Sequence, residues 1–267
     1  MKRRVVRVLL RDGRVVFADD GARFSTLSAA PWLGGEPTGE TFSGDAVARQ
    51  LTPVAPGKIV CVGRNYAAHA AELGNEVPEE PLLFMKPTSS LLDPGGTIEL
   101  LPASLSERVE HEVELGVVVG RRLKRSTIEE CAAGVFGYTI VGDITARDLQ
   151  RREKQWTRGK GADTFCPVGP AVVRGIDASA LGVRCFVDGA LRQDGTTAHM
   201  LVKPPALLAF IAEAMTLEPG DLVVTGTPAG VGPLVHGNRV RFEVDELGVL
   251  ELDVREPALA PRSACVA

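Results

Sequence analysis

Val109-Glu110-His111-Glu112-Val113-Glu114-Leu115-Gly116, running into Val117-Val118-Val119, decides how this chain is read. The tail is an apolar, β-branched run, the pattern of a buried strand. Side chains alternate along a strand, so Glu110, Glu112 and Glu114 point to one side and His111, Val113 and Leu115 to the other. Three carboxylates on one partly buried face repel each other. A divalent cation removes that penalty, and hard oxygen ligands suit Mg²⁺, Mn²⁺ or Ca²⁺ rather than zinc. The alternative is an exposed edge with solvated glutamates.

The sequence around this strand is strand-rich with few helices. Lys58–Val62, Leu82–Lys86, Tyr138–Val141, Val183–Val187 and Leu222–Thr225 read as short strands, and 240–244 with 249–254 as a closing hairpin. Ser126 with Glu129 forms a capping box opening a helix through Val135, and Pro205–Met215 reads as an amphipathic helix. Strands do not alternate regularly with long helices, which argues against a doubly wound parallel sheet. The expected class is α+β, a mixed β core with helices outside. Residues 1–56 read as a small N-terminal β-rich module, with a hairpin at Asp12-Gly13 and a loop over 31–43; residues 57–267 form the second domain.

Lys plus Arg total 30 and Asp plus Glu 34, a net charge of −4 that argues against a nucleic-acid surface. Five cysteines without a C-x-x-C pair fit reduced thiols. The basic start, Met1-Lys2-Arg3-Arg4, is not followed by an uninterrupted apolar run, and no stretch is long enough to span a bilayer. The expectation is a soluble, cytoplasmic protein with no nucleic-acid or membrane partner.

Further segments carry chemistry. Asp143 follows an apolar strand, where a site could be built, or else it or Thr145 caps a helix through Gln150. Arg147 and Gln150 offer a charge and an amide to a substrate carboxylate. In the Ala-rich run after Gly63-Arg64-Asn65-Tyr66, His69 and Glu72 stand at i and i+3 on one helix face. A carboxylate beside an imidazole fixes its tautomer and strengthens it as a base; the alternative is a surface ion pair. Lys160, among glycines, could stabilise an oxyanion, or be a solvated loop lysine. Thr225-Gly226-Thr227-Pro228-Ala229-Gly230-Val231-Gly232 lacks the lysine of a P-loop; its N–H groups and Thr227 could bind a carboxylate, or form a plain turn. His199 and His236 read as structural or surface residues.

Together these segments resemble the fumarylacetoacetate hydrolase family. The resemblance rests on Gly63-Arg64-Asn65-Tyr66-x-x-His69, Leu83-Phe84-Met85-Lys86-Pro87, His111-Glu112-Val113-Glu114-Leu115-Gly116, Asp143-Ile144-Thr145-Ala146-Arg147-Asp148, Lys160 after Trp156-Thr157, and Thr225-Gly226-Thr227-Pro228. It spans roughly residues 57 to 255, in order. It implies a β-roll or barrel-like mixed sheet, usually in a homodimer, preceded by a small extra module. It implies Mg²⁺ or Mn²⁺ on Glu112, Glu114 and Asp143, with Ca²⁺ possible in their place. It implies a water-activating dyad of His69 and Glu72, with Lys160 as a further catalytic group. Arg64, Tyr66, Lys86, Arg147, Gln150 and Thr227 would then surround the substrate. Glu110 and His199 depart from the family pattern, and Glu110 is expected to bring a fourth acid near the ion. The implied reaction is C–C cleavage of a 2,4-dioxo acid, an acylpyruvate or fumarylpyruvate, to a carboxylate and pyruvate, as in aromatic catabolism. Alternatives on the same site are an isomerase or tautomerase, an oxaloacetate decarboxylase, and more remotely a non-catalytic metal-binding module.

Overall fold

The computed structural model describes residues 2–257; Cys265 and the rest of the C-terminal stretch lie outside them. The fold is mixed α+β, a strongly curled half-barrel sheet with few helices. The largest sheet has twelve strands, and Val113–Val119 lies inside it between Val135–Gly142 and Leu222–Val224. All seven of its residues are buried. Neighbours on both sides and cover on both faces explain its apolar composition, and they exclude the solvated-edge alternative.

The sheet continues from Val135–Gly142 to Cys166–Arg174 and on to Arg3–Leu10, Val15–Asp19, Phe24–Leu27 and Pro37–Phe42. In the other direction Leu222–Val224 pairs in parallel with Ile59–Gly63, which carries Leu82–Lys86 at the edge. The N-terminal strands are therefore joined to the main sheet through the pairing of Arg3–Leu10 with Cys166–Arg174. A five-stranded sheet packs against it, and its Val183, Cys185, Val240 and Phe242 share one core with Val113 and Leu115. Farther along, Val117 and Val119 pack on Leu208, Ile211 and Ala212 of the helix Pro204–Ala214. A small third sheet pairs Val109–His111 with Thr145–Ala146 and Gly232–Pro233.

Several local expectations shift. The stretch 31–43 is not all loop: Pro37–Phe42 is an edge strand, exposed except for Phe42, which stacks on Phe24 at 5.1 Å. Proline at its first position suits an edge. The sequence offers two overlapping capping-box patterns near residue 127, and the chain uses Thr127 with Glu130 rather than Ser126 with Glu129. That helix stops at Gly134, because Val135 opens the next strand. The long strand Cys166–Arg174 is hidden in the sequence by Pro167 and Pro170, residues that normally argue against a central strand.

Candidate active site and metal centre

The carboxylate-bearing segment is not one continuous strand. Val109–His111 belongs to the third sheet and Val113–Val119 to the main one, and Glu112 sits at the junction. On the neighbouring strand Asp143 follows Gly142 at the same level, where its N–H donates to the Glu112 carbonyl at 2.9 Å. Carboxylate oxygens of Glu112, Glu114 and Asp143 thereby come within 4.8 Å of one another, all three residues buried. Asp143 does not cap a helix. The following helix runs Arg147–Arg152 and has no side-chain cap, so the Asp143 carboxylate is left to the cluster.

Cations surround two of the three acids. The Lys160 ammonium donates to Glu112 Oε2 at 2.7 Å and Asp143 Oδ2 at 2.5 Å. Arg147 spends its guanidinium on Glu112, on Glu110 Oε2 at 2.7 Å and on Gln150 Oε1 at 2.6 Å. Burial works against ionising Glu112, but Lys160 and Arg147 overcome it and hold that carboxyl well below the usual range. Glu114 is the opposite case. Its partner is the Gly226 N–H, and no cation among the described residues pairs with it. Burial, then Asp143 and Glu112, push its carboxyl well above the usual range. Among the described residues three buried cations, Lys86, Arg147 and Lys160, thus pair with Glu110, Glu112 and Asp143, and none pairs with Glu114. An all-carboxylate donor set, one member of it without a cation partner, fits a hard dication.

Glu112, Glu114, Asp143, Arg147 and Lys160 line a cavity of about 310 Å³ together with His69, Arg64, Gln150, Trp156, Phe84 and Thr227. His69 lies on the short helix Ala67–Glu72, its Nδ1 3.3 Å from Glu72 Oε2. A carboxylate only accepts, so in the neutral imidazole the proton belongs on Nδ1 and the lone pair on Nε2. Glu72 is held in turn by the Gly230 N–H at 2.9 Å. The glycine-rich loop does bind carboxylates, then, but they are the protein's own Glu72 and Glu114.

Three expectations about individual residues change. Lys86 does not line the cavity; its ammonium lies behind the cluster, 2.8 Å from Asp143 Oδ1, and donates to the carbonyls of Ile144, Lys160 and Phe165. Tyr66 is also buried away from the cavity lining, and its hydroxyl has no hydrogen-bond partner among the described residues. Glu110 is not a fourth member of the cluster, because Arg108 and Arg147 neutralise it on either side. Arg151, Asn75, Phe84 and Trp156 line the cavity without having been singled out as site residues. Phe84 and Trp156 meet edge to face at 5.2 Å, and Lys160 Nζ lies 5.1 Å from the Phe84 ring centre. Aromatics make up only 5% of the chain, so two in one motif-bearing region was an available signal.

A curled α+β half-barrel with a buried acidic centre defines the class of protein. Residues 58–255 match the family model described as Fumarylacetoacetate (FAA) hydrolase C-terminal, and the chain belongs to that family. A 2-hydroxyhepta-2,4-diene-1,7-dioate isomerase from Mycobacterium marinum superposes with a TM-score of 0.87 at 37% identity, covering 96% of this chain and 100% of that one. A fumarylpyruvate hydrolase from Pseudomonas aeruginosa, in complex with Mn²⁺ and pyruvate, does so with a TM-score of 0.71 at 32% identity, covering 79% and 93%. A mitochondrial oxaloacetate tautomerase from Arabidopsis thaliana is 45% identical over 203 residues, 74% of this chain and 90% of its own. Among the described residues no helix is long and apolar enough to cross a membrane.

Proposed function

We propose that this chain is a divalent-metal-dependent hydrolase that cleaves the C–C bond of an acylpyruvate- or fumarylpyruvate-type 2,4-dioxo acid, releasing a carboxylate and pyruvate. The observation that carries the reading is that His69, backed by Glu72, opens onto the same cavity as Glu112, Glu114 and Asp143. Those three carboxylates would hold Mg²⁺ or Mn²⁺, with Ca²⁺ as a larger substitute. Bound there, the ion supplies Lewis-acid polarisation of a 2-oxo acid's oxygens.

The chain's own groups do the rest. His69 takes a proton from water at Nε2, and Glu72 holds the imidazole in the tautomer that allows it. The resulting hydroxide adds to the distal carbonyl of the substrate. Lys160 stabilises the negative charge that develops there. The bond between the attacked carbon and the pyruvate fragment then breaks, and the fragment is protonated to pyruvate. Arg64, Gln150 and Thr227 border the substrate, and Arg147 holds Glu112 and Gln150 in place. On this reading residues 1–56 are an accessory module to a catalytic unit beginning at 57, and the enzyme is a cytoplasmic homodimer.

A second reading is supported by the relative that is an oxaloacetate tautomerase. There, the same base moves a proton between carbon and oxygen without water attack. Acylpyruvates, fumarylpyruvate and oxaloacetate are offered with Mg²⁺ or Mn²⁺ and the products identified. A released acid plus pyruvate supports the hydrolase. Enol–keto exchange of oxaloacetate, or carbon dioxide from it, with no acylpyruvate cleaved, overturns it.

A further inference from the structure

Gln193 is the buried exception in an otherwise open strand. Ala190–Thr196 lies at the edge of the five-stranded sheet, and Gln193 is the one fully buried residue in it. Its side-chain amide makes four contacts. Oε1 accepts from the Val113 N–H at 3.1 Å and faces His111 Nδ1 at 3.1 Å. Nε2 donates to Thr227 Oγ1 at 2.7 Å and to the Pro228 carbonyl at 2.8 Å. A backbone N–H on one side and a backbone carbonyl on the other leave only this orientation of the amide.

Thr227 completes the arrangement. Its hydroxyl accepts from Gln193 and donates to the Val113 carbonyl at 2.8 Å. Val113 is thus gripped at its N–H by one side chain and at its carbonyl by another, and the two side chains are bonded to each other. Val113 is the residue between Glu112 and Glu114, at the point where the chain leaves the third sheet for the main one. The main sheet's other neighbour begins to pair only at Gly116, opposite Val224. The two side chains stand in for the missing strand. The loop they hold also supplies the Gly226 N–H to Glu114 and the Gly230 N–H to Glu72.

We infer that Gln193 is a positioning residue: with Thr227 it clamps the Val113 backbone and so sets the spacing of the Glu112 and Glu114 carboxylates that take the metal ion. The inference rests on the metal-site reading above. Residues that orient metal ligands without touching the ion commonly change its affinity by about 10- to 100-fold.

The test is Mn²⁺ affinity, measured by titration calorimetry on the full chain, with melting of the chelator-treated protein followed in parallel. Gln193→Leu lowers Mn²⁺ affinity about 10-fold or more. Thr227→Val, which releases the Val113 carbonyl, does the same, and Thr227→Ser, which keeps the hydroxyl, restores it. Both variants free one backbone unit, so the double variant loses much less than the product of the single losses. A purely structural role predicts lower melting with affinity within about twofold of wild type. That result for either Gln193→Leu or Thr227→Val, or multiplicative losses in the double variant, overturns the clamp. Should Gln193→Leu not fold, the Thr227 pair decides alone. Wild-type protein that takes up no Mn²⁺ overturns the metal-site reading itself, a different failure from one confined to the variants.

Discussion

Glu112 and Glu114 are two residues apart, equally buried, and electrostatically unlike. Glu112 lies in a lattice of alternating charge that runs Glu110, Arg147, Glu112, Lys160, Asp143, Lys86. Glu114 stands beside it with a backbone N–H and, among the described residues, no cation partner. Burial penalises both carboxylates, so the difference comes entirely from partners. One half of the site is held together by its own counter-charges. The other half has no counter-charge of its own: its acid holds a proton in the metal-free fold, and the attraction of a dication for that carboxylate takes the proton's place.

The largest expected effect tests that attraction. Glu114→Ala lowers Mn²⁺ affinity by more than about 100-fold, beyond the range usual for residues that only support a ligand. Calorimetry checks it, and near-native affinity would mean that the unpaired acid is not where the ion is held. His69→Ala separates the base from the acids: the hydrolytic rate falls about 10²- to 10⁴-fold while Mn²⁺ still binds. A full rate removes the dyad from the mechanism.

The paired half answers to Lys86→Met. Removing the ammonium strips Asp143 of a buried partner and leaves three carbonyls short of a donor, which costs about 3–5 kcal/mol in denaturant unfolding. A loss below about 1 kcal/mol would show that the charge lattice does not hold the fold.

The pH dependence sharpens the contrast. Glu114, with its carboxyl raised, binds its proton more tightly in the metal-free fold than in the unfolded chain, where the ordinary value is 4.5. Its contribution to stability is present below 4.5 and is lost as pH rises toward the raised native value. The metal must displace that proton, so Mn²⁺ affinity climbs with pH over the same window, and Glu112, already ionised there, adds nothing to the slope. Glu114→Gln, a neutral mimic of the protonated acid, should gain melting temperature over chelator-treated wild type as pH rises above 4.5. A gap that does not change with pH breaks the contrast. The smallest effect is a control far from both halves: Thr127→Ala removes a helix cap and costs about 1 kcal/mol, with Mn²⁺ affinity unchanged.

Much of the architecture was legible because it follows from local pattern. The run from Val113 to Val119 is buried on both faces and reads so, and the closing hairpin falls where its turn residues put it. What escaped was decided by neighbours. Cys166–Arg174 is a central strand despite two prolines, and Pro37–Phe42 is a strand anchored by one aromatic contact. In the site, spacing brought Glu112 and Glu114 to notice but grouped Glu110 with them. The break in the strand at Glu112 gives Glu110 to the third sheet and to Arg108 and Arg147. Lys86 shared a motif with cavity residues, yet its side chain turns to the far side of Asp143. Gln193 carried no signal beyond its type, since a glutamine in a polar stretch looks solvated until a fold closes over it.

The order of residues alone determined which acids, which imidazole and which lysine stand on strands and turns able to hold them, because side-chain alternation and helix periodicity act within a few residues. Only the packed molecule decided which acid meets a cation and which does not. Charge pairing acts through space between segments far apart in the chain, and its strength depends on how completely water is removed from around them.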